Sequence, residues 1–189
     1  MNVTIRLAKT DEIETIIDLQ SLSISNLGYK EYNEQQLNAI IKSQKQVRLM
    51  QNDEIIYVAE SSEGSILGFG AFIQTNLNTG EIAGIYIDPK YLGKGIGTQI
   101  IKKIEDKALQ KGILQLNVNS SLNSINFYHR KGYKLAREKE DLKLVDETVI
   151  PCKVFSKQLR PLNLIEKMSL IIFIFLIIGI TLLILIGLF

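Results

Sequence analysis

The sequence predicts an α+β domain, a mixed β-sheet covered by helices, followed by one transmembrane helix. Three observations predict it. Short apolar runs bounded by turn residues read as strands, several of them paired as hairpins. Helix-period stretches interrupt those runs near the start and again after a glycine-rich turn. The chain then finishes in a long uncharged apolar tail.

Val3–Leu7 reads as the first strand, and Thr10 as the cap of a helix with apolar positions Ile13, Ile16, Ile17 and Leu22. Asn33 suits the cap of a second helix through Leu37, Ile40 and Ile41. Ile55–Glu60 and Ile66–Ile73 form strands around the turn Ser61-Ser62-Glu63-Gly64, a hairpin. Another turn, Asn76 to Gly80, leads to a strand from Glu81 to Ile87. From Thr98 to Lys111 the pattern is helical. Ile96, Ile100, Ile101, Ile104 and Ala108 share one face, and Lys102, Lys103, Glu105, Asp106 and Lys107 the other. Gly112 suits its stop.

Leu114, Leu116 and Val118 alternate with Gln115, Asn117 and Asn119, the mark of a half-buried strand. Ser121 suits the cap of a short helix through Ile125 to Arg130, stopped by Gly132. Tyr133–Ala136 and Thr148–Lys157 complete the order β-α-α-β-β-β-α-β-α-β-β. Hairpins with one or two helical crossovers imply a mixed sheet.

Lys+Arg total 22 against Asp+Glu 20, a net charge of +2, so no nucleic-acid footprint is expected. One cysteine, Cys152, precludes an intramolecular disulfide framework and suits a reduced, cytosol-facing setting. With a single His and a single Cys, no zinc site of the usual type is expected. Met1 to Lys9 reads as a strand rather than a signal sequence.

Leu170 to Phe189 carries no charge and little polarity beyond Thr181. About 20 residues at roughly 1.5 Å each reach roughly 30 Å, one hydrocarbon core. A helix apolar on every face needs protein all around it if it is to be a core helix, more than a domain of this size supplies. Lys157, Arg160 and Lys167 precede the span and nothing charged follows it, which places the globular part on the cytoplasmic side. The expected organisation is a domain over 1–159, a linker over 160–168 and a membrane helix over 169–189, with oligomeric state left open.

Chemistry enters at Gly93-Lys94-Gly95-Ile96-Gly97. It follows the strand ending at Ile87 and the breaker Asp88-Pro89, and it opens a helix. A glycine turn at a helix N-terminus offers backbone N–H groups and a positive dipole end to a diphosphate.

Two motifs in order, Tyr86 to Thr98 and Ser121 to Tyr133, carry a resemblance to the GNAT superfamily, the Gcn5-related N-acetyltransferases. It covers roughly Val3 to Leu159. The first motif resembles the family's acetyl-CoA pyrophosphate loop, the second its later helix with a tyrosine and closing Gly-aromatic pair. The sequence departs from the pattern twice. Leu92 stands where the family has Gln or Arg before the glycines, and Ser121 where it has Asn.

The resemblance implies acetyl-CoA as co-substrate, no metal, and direct transfer of acetyl to an amine on a small molecule or peptide. It implies that Gly93, Lys94, Gly95, Ile96, Gly97 and Thr98 cradle the diphosphate, while backbone near Ile85 and Ile87 pairs with pantetheine amides. It makes Tyr128 the acid that helps the thiolate leave, Ser121 a cofactor-side residue, and Glu81 the candidate base. A branch that acetylates ribosomal-protein N-termini has a glutamate where this chain has Asn117, which cannot serve as a base. Cys152 reads as packing and His129 as solvent-facing. Acceptor choice is expected from Ser21 to Gln44 and Glu138 to Thr148, where Asn26, Tyr29, Glu31 and Tyr32 are candidates. The alternative is a non-catalytic CoA-binding sensor or membrane adaptor. A role confined to the membrane segment is weaker, since it holds no intramembrane charge.

Overall fold

Alternating apolar strands pair into one seven-stranded sheet, in which the first five strands lie in chain order and the seventh sits between the fifth and the sixth. The computed structural model describes residues 2–28, 30–50, 53–144 and 146–160, and in the tail 168, 172–173 and 176–181. The strands are β1 Val3–Leu7, β2 Ile55–Ser61, β3 Ile66–Gln74, β4 Thr79–Ile87, β5 Gln115–Ser120, β6 Lys134–Lys143 and β7 Val149–Gln158. The helices are α1 Ile13–Leu27, α2 Glu34–Met50, α3 Ile96–Gln110 and α4 Ile125–Arg130. The element order matches the sequence expectation, with short 3-10 turns at Thr10–Glu12, Pro89–Tyr91 and Leu122–Ser124 added.

All strand pairs are antiparallel except β4 with β5. That parallel pair needs a crossover, and α3 supplies it. The predicted stripe Ile96, Ile100, Ile101, Ile104 and Ala108 is wholly buried against the sheet. Gly70 lets α3 lie close, since a Cβ there would stand 2.5 Å from Ile100 Cγ2. On the other face Ile16 and Leu19 of α1 pack on Val58 and Phe69. Arg48 at the end of α2 forms a buried ion pair with Glu54 and lies 5.2 Å from the Phe69 ring centroid. Burial holds the Glu54 carboxyl above its ordinary value, and Arg48 offsets only part of that rise.

Gly112 and Gly132 both take positive φ. Each closes its helix with a hydrogen bond reaching back from the next residue, Ile113 N–H to Ala108 O at 2.9 Å and Tyr133 N–H to Tyr128 O at 3.1 Å. Asn33 caps α2 as expected, accepting the Gln36 N–H at 2.8 Å while Gln36 Oε1 accepts the Asn33 N–H at 3.1 Å.

Three expectations are corrected. Thr10 lies inside a 3-10 turn, and the carboxylate of Glu12 accepts the Lys9 N–H at 2.8 Å instead. Arg6 holds that carboxylate beside β1 at 2.6 Å, which fixes the turn and delays α1 to Ile13. Leu22 is exposed, because the buried stripe of α1 runs through Ile16, Leu19, Gln20 and Ser23. Ser121 makes no side-chain cap; its hydroxyl lies 2.6 Å from Asn123 Oδ1 and 3.1 Å from Ser124 Oγ.

The chain divides into two compact units, Met1–Leu159 and Arg160–Phe189. Most of the expected membrane span, 169–189, lies outside the described residues. Among the described residues no helix is long and apolar enough to cross a membrane. Those described at 172–173 and 176–181 are helical.

Candidate active site

The site begins with a break in the sheet. On β4, Ile82 pairs with Phe72 and Gly84 with Ala71, so Ala83 is an extra residue in a bulge. The bulge shifts the side-chain phase, so that Ile82, Ile85 and Ile87 all pack toward the α3 core while Tyr86 packs on the α1 side. Pairing with β5 ends at Glu81 opposite Asn117, just before the bulge. Asp88 N–H donates to Leu67 O on β3 at 2.9 Å. By strand alternation, Ile85 and Ile87 therefore turn their backbone groups to the side where β5 has departed.

Downstream of β4, the glycine loop forms the far end of that opening. Gly93 and Gly95 hold φ of 74° and 80°, a region that costs other L-residues energy. Gly95 is the N-cap of α3, and its carbonyl accepts from Thr98 N–H at 3.1 Å and Gln99 N–H at 3.2 Å. The Thr98 N–H is thus engaged, which leaves the first-turn donors of Ile96 and Gly97 as the dipole-end groups. A Cβ on Gly97 would stand 3.2 Å from Phe127 Cε2, so α4 packs tightly over this turn.

The resulting outer cleft has a volume of about 460 Å³ and is lined by Ile85, Ile87, Gly93, Gly95, Ile96, Gly97 and Thr98. Arg130 at the end of α4 and Lys131 just after it also line the cleft. Among the described residues the positive charge on this wall comes from these two, while Leu92 in the loop is apolar and exposed. Lys94 does not line the cleft itself, and its ammonium lies 4.8 Å from the ring centroid of Tyr91, which does. Open backbone beside Ile85 and Ile87 and a glycine cradle with free space at Gly93 and Gly95 fit a pantetheine arm and a diphosphate.

A second, inner cavity of about 130 Å³ lies on the α1–α2 side, walled by those helices, β4, the β5–α4 connection and the late strands. Ser23, Ile85, Asn123, Ser124 and Tyr128 line both hollows. Tyr128 is 4% exposed, and its ring meets Phe127 and Tyr133 edge-on at 5.2 and 5.6 Å. Burial pushes its phenol well above the ordinary value, and Tyr86 adds to the push, so Tyr128 stays protonated at neutral pH.

The other sequence candidates divide. Glu81 lines neither hollow; its Oε1 accepts from Asn119 Nδ2 at 3.1 Å, and Asn119 lines the inner cavity. Ser121 lines the inner cavity rather than the cleft. Asn117 accepts from Gln115 Nε2 at 2.8 Å. Tyr32 lines the inner cavity, while Asn26 and Glu31 are exposed and line neither hollow; Tyr29 lies outside the described residues. The Tyr32 hydroxyl accepts the Leu122 N–H and donates to Pro151 O, both at 3.0 Å, so it fastens the α1–α2 connection to the cavity rim. His129 is exposed. Cys152 is buried and forms part of the inner wall. Gln44, Tyr86, Leu142 and Ile150 also line that cavity and were not singled out from sequence. Only the sheet register and helix packing bring them together.

The model of the acetyltransferase (GNAT) family matches residues 17–133. The chain belongs to this family. It is an N-acetyltransferase with acetyl-CoA as co-substrate. This GNAT chain is 25% identical over 152 residues to a spermidine N(1)-acetyltransferase of Thermoplasma acidophilum, covering 71% of this chain and 90% of that protein. It is 36% identical over 96 residues to a thialysine N-epsilon-acetyltransferase of Mus musculus, covering 46% of this chain and 56% of that protein. Among solved structures, a GCN5-related N-acetyltransferase from Rhodopseudomonas palustris superposes with TM-score 0.71 at 21% identity, over 84% of this chain and 96% of that one. An N-acetyltransferase from Thermoplasma acidophilum, solved with coenzyme A, superposes with TM-score 0.65 at 22% identity, over 84% of this chain and 99% of that one. These two structural likenesses concern the fold.

Proposed function

We propose that acetyl-CoA lies along the outer cleft and that the acceptor amine enters from the inner cavity, with Tyr128 between them. The placement of Tyr128 on both walls carries this reading. The cleft supplies backbone from Ile85 and Ile87 for the pantetheine arm and the Gly93–Gly97 turn for the diphosphate. Arg130 and Lys131 add the charge that Leu92 does not.

Acetyl-CoA supplies an activated acetyl thioester. The amine must reach it neutral and must finally lose a proton, while the thiolate, near pKa 8.5 by analogy with Cys, must gain one (roughly). The Tyr128 phenol, raised by burial, is too weak an acid simply to give its proton away. It instead donates a hydrogen bond to sulfur and relays the nitrogen's proton, ending unchanged. Glu81 serves as a distant proton sink through solvent, oriented by Asn119.

The same protein is tethered by its tail. The described tail residues are helical, and Ile172, Phe173, Leu176, Ile178 and Ile180 leave 48–60% of their surfaces uncovered. Bare apolar side chains around a helix suit lipid. With Lys157, Arg160 and Lys167 before it, the enzyme domain faces the cytoplasm. Alkaline carbonate should leave the full-length protein in the membrane pellet; its release would end the tether reading.

For the site, Tyr128→Phe should lower kcat by about 100-fold, the scale of one proton-transfer group, with acetyl-CoA affinity unchanged within about twofold. Titration calorimetry and steady-state rates measure the two. Equal loss of both would make Tyr128 a packing residue. Binding without turnover of any amine by the unmodified protein would favour a CoA sensor.

A further inference from the structure

Tyr86 is a second phenol beside the transfer site. The bulge at Ala83 turns it to the α1 face of the sheet, where its ring stacks on Phe69 with centroids 5.2 Å apart and planes at 27°. Gly84, two residues earlier, has φ of 128°. A Cβ there would stand 2.4 Å from Tyr86 Cε2 and 2.9 Å from its hydroxyl oxygen. The ring therefore lies back over the Gly84 backbone, in space that any side chain at 84 would take. This brings the hydroxyl to the junction of the two hollows. Ile85 lines both, while its neighbours Gly84 and Tyr86 line the inner cavity and not the cleft. Tyr128 is the phenol on both walls, and Tyr86 stands on the acceptor side of it.

A phenylalanine would stack on Phe69 equally well. The hydroxyl adds a polar atom to the cavity wall, where burial without a partner costs free energy. Burial pushes this phenol up, with Gln20 and Arg48 offsetting part of the rise, so it is protonated at neutral pH and is no proton sink. Its oxygen keeps lone pairs that can accept a hydrogen bond. Two amide oxygens of lining residues are already engaged: Gln44 Oε1 accepts from Gln20 Nε2 at 3.1 Å, and Asn123 Oδ1 accepts from Ser121 Oγ at 2.6 Å.

The chemistry has a place for such an acceptor. A neutral primary amine carries two N–H bonds and one lone pair. The lone pair forms the new bond to the acetyl carbonyl carbon, and the carbon–sulfur bond breaks with its electron pair on sulfur. Nitrogen gives up one proton and sulfur takes one, so the products are an amide with one N–H and the free thiol of CoA. Holding both N–H bonds fixes the direction of the lone pair. Resting on the acetyl-transfer reading above, we infer that Tyr86 positions the acceptor: its phenol oxygen accepts the N–H that the amide keeps, while Tyr128 faces the N–H that departs. A secondary amine has one N–H, which must leave, so Tyr86 has nothing to hold in it. Tyr86 thus favours primary amines.

The test compares the full-length chain with its Tyr86→Phe variant, both in detergent with acetyl-CoA. The probes are the primary amines benzylamine, spermidine and thialysine, and then the counterpart of the best of them N-methylated at the reacting nitrogen. Thiol release with product mass gives kcat/KM, and melting temperature with CoA reads cofactor binding independently of turnover. The variant should lose about tenfold in kcat/KM for the primary amine and less than about twofold for its N-methyl counterpart. Its CoA-induced rise in melting temperature should be unchanged. A primary-amine loss under about twofold overturns the inference and leaves acetyl transfer standing. An equal loss with both amines, or loss of the CoA-induced rise, makes Tyr86 a packing residue and also overturns it. Where the N-methyl amine is not turned over, the primary-amine loss decides. Absence of thiol release with every amine by the unmodified chain overturns the inference, and absence of CoA stabilisation as well overturns the acetyl-transfer reading with it.

Discussion

The outer cleft and the inner cavity meet at Tyr128 but are made of different material. The cleft is largely backbone: an unpaired strand edge, two glycines of positive φ and the first turn of α3. Most of it comes from the single stretch 85–98. The inner cavity is largely side chain, drawn from α1, α2, β4, β5, β6 and β7. A backbone site recognises what every acyl-CoA shares, pantetheine amides and a diphosphate. A side-chain site can change its occupant by substitution while the strands stay in place. The two should therefore fail separately, and each variant below strikes one of them.

The largest effect is expected at the inner cavity. Tyr32 fastens the α1–α2 connection through two hydrogen bonds of 3.0 Å, one from Leu122 N–H and one to Pro151 O. Tyr32→Phe keeps the ring and leaves both backbone groups without that partner. The expected loss of stability is about 2–4 kcal/mol, read as a lower denaturant midpoint with m unchanged. The amine KM should rise, while acetyl-CoA affinity should stay within about twofold. Parallel weakening of both ligands would mean the two hollows behave as one cooperative unit.

The same contrast decides what could be read from the sequence. The cleft is local: Asp88-Pro89, the glycines and the Ile96–Ala108 stripe lie in one run, and each has a conformational or periodic signature. The fold followed for a similar reason, since strand alternation and the Gly112 and Gly132 stops are short-range signals. The bulge at Ala83 carried no such signal, and the inward turn of Tyr86 depends on it. The inner cavity is an assembly of distant residues. Gln44 and Ile150 are ordinary helix and strand positions until the sheet order brings β7 beside β5. Ser121 shows the limit most plainly. Its place in a motif suggested a cap, whereas its hydroxyl is engaged with Asn123 and Ser124 and it lines the inner cavity. Glu81 was legible only as a carboxylate on a strand before the glycine turn, and the Asn119 contact shows how it is held.

A smaller effect is expected at the cleft, and it separates conformation from bulk. Gly95 holds φ at 80°, with no atom within 4 Å of where a Cβ would stand. Steric crowding inside the protein therefore predicts no cost for a side chain there. The left-handed backbone predicts one, about 1–2 kcal/mol for an ordinary L-residue and more for a β-branched one. Relaxing that strain would turn the first-turn N–H groups of α3 off the diphosphate. Gly95→Val should thus weaken acetyl-CoA binding by about tenfold in titration calorimetry, while the amine-dependent step in the inner cavity is unchanged at saturating acetyl-CoA. Gly95→Asn fills the same space with a residue that tolerates positive φ, so it should lose markedly less. Equal losses for Val and Asn would assign the cost to a side chain obstructing the phosphates. A loss for Val alone would identify the fixed backbone conformation as the recognition element.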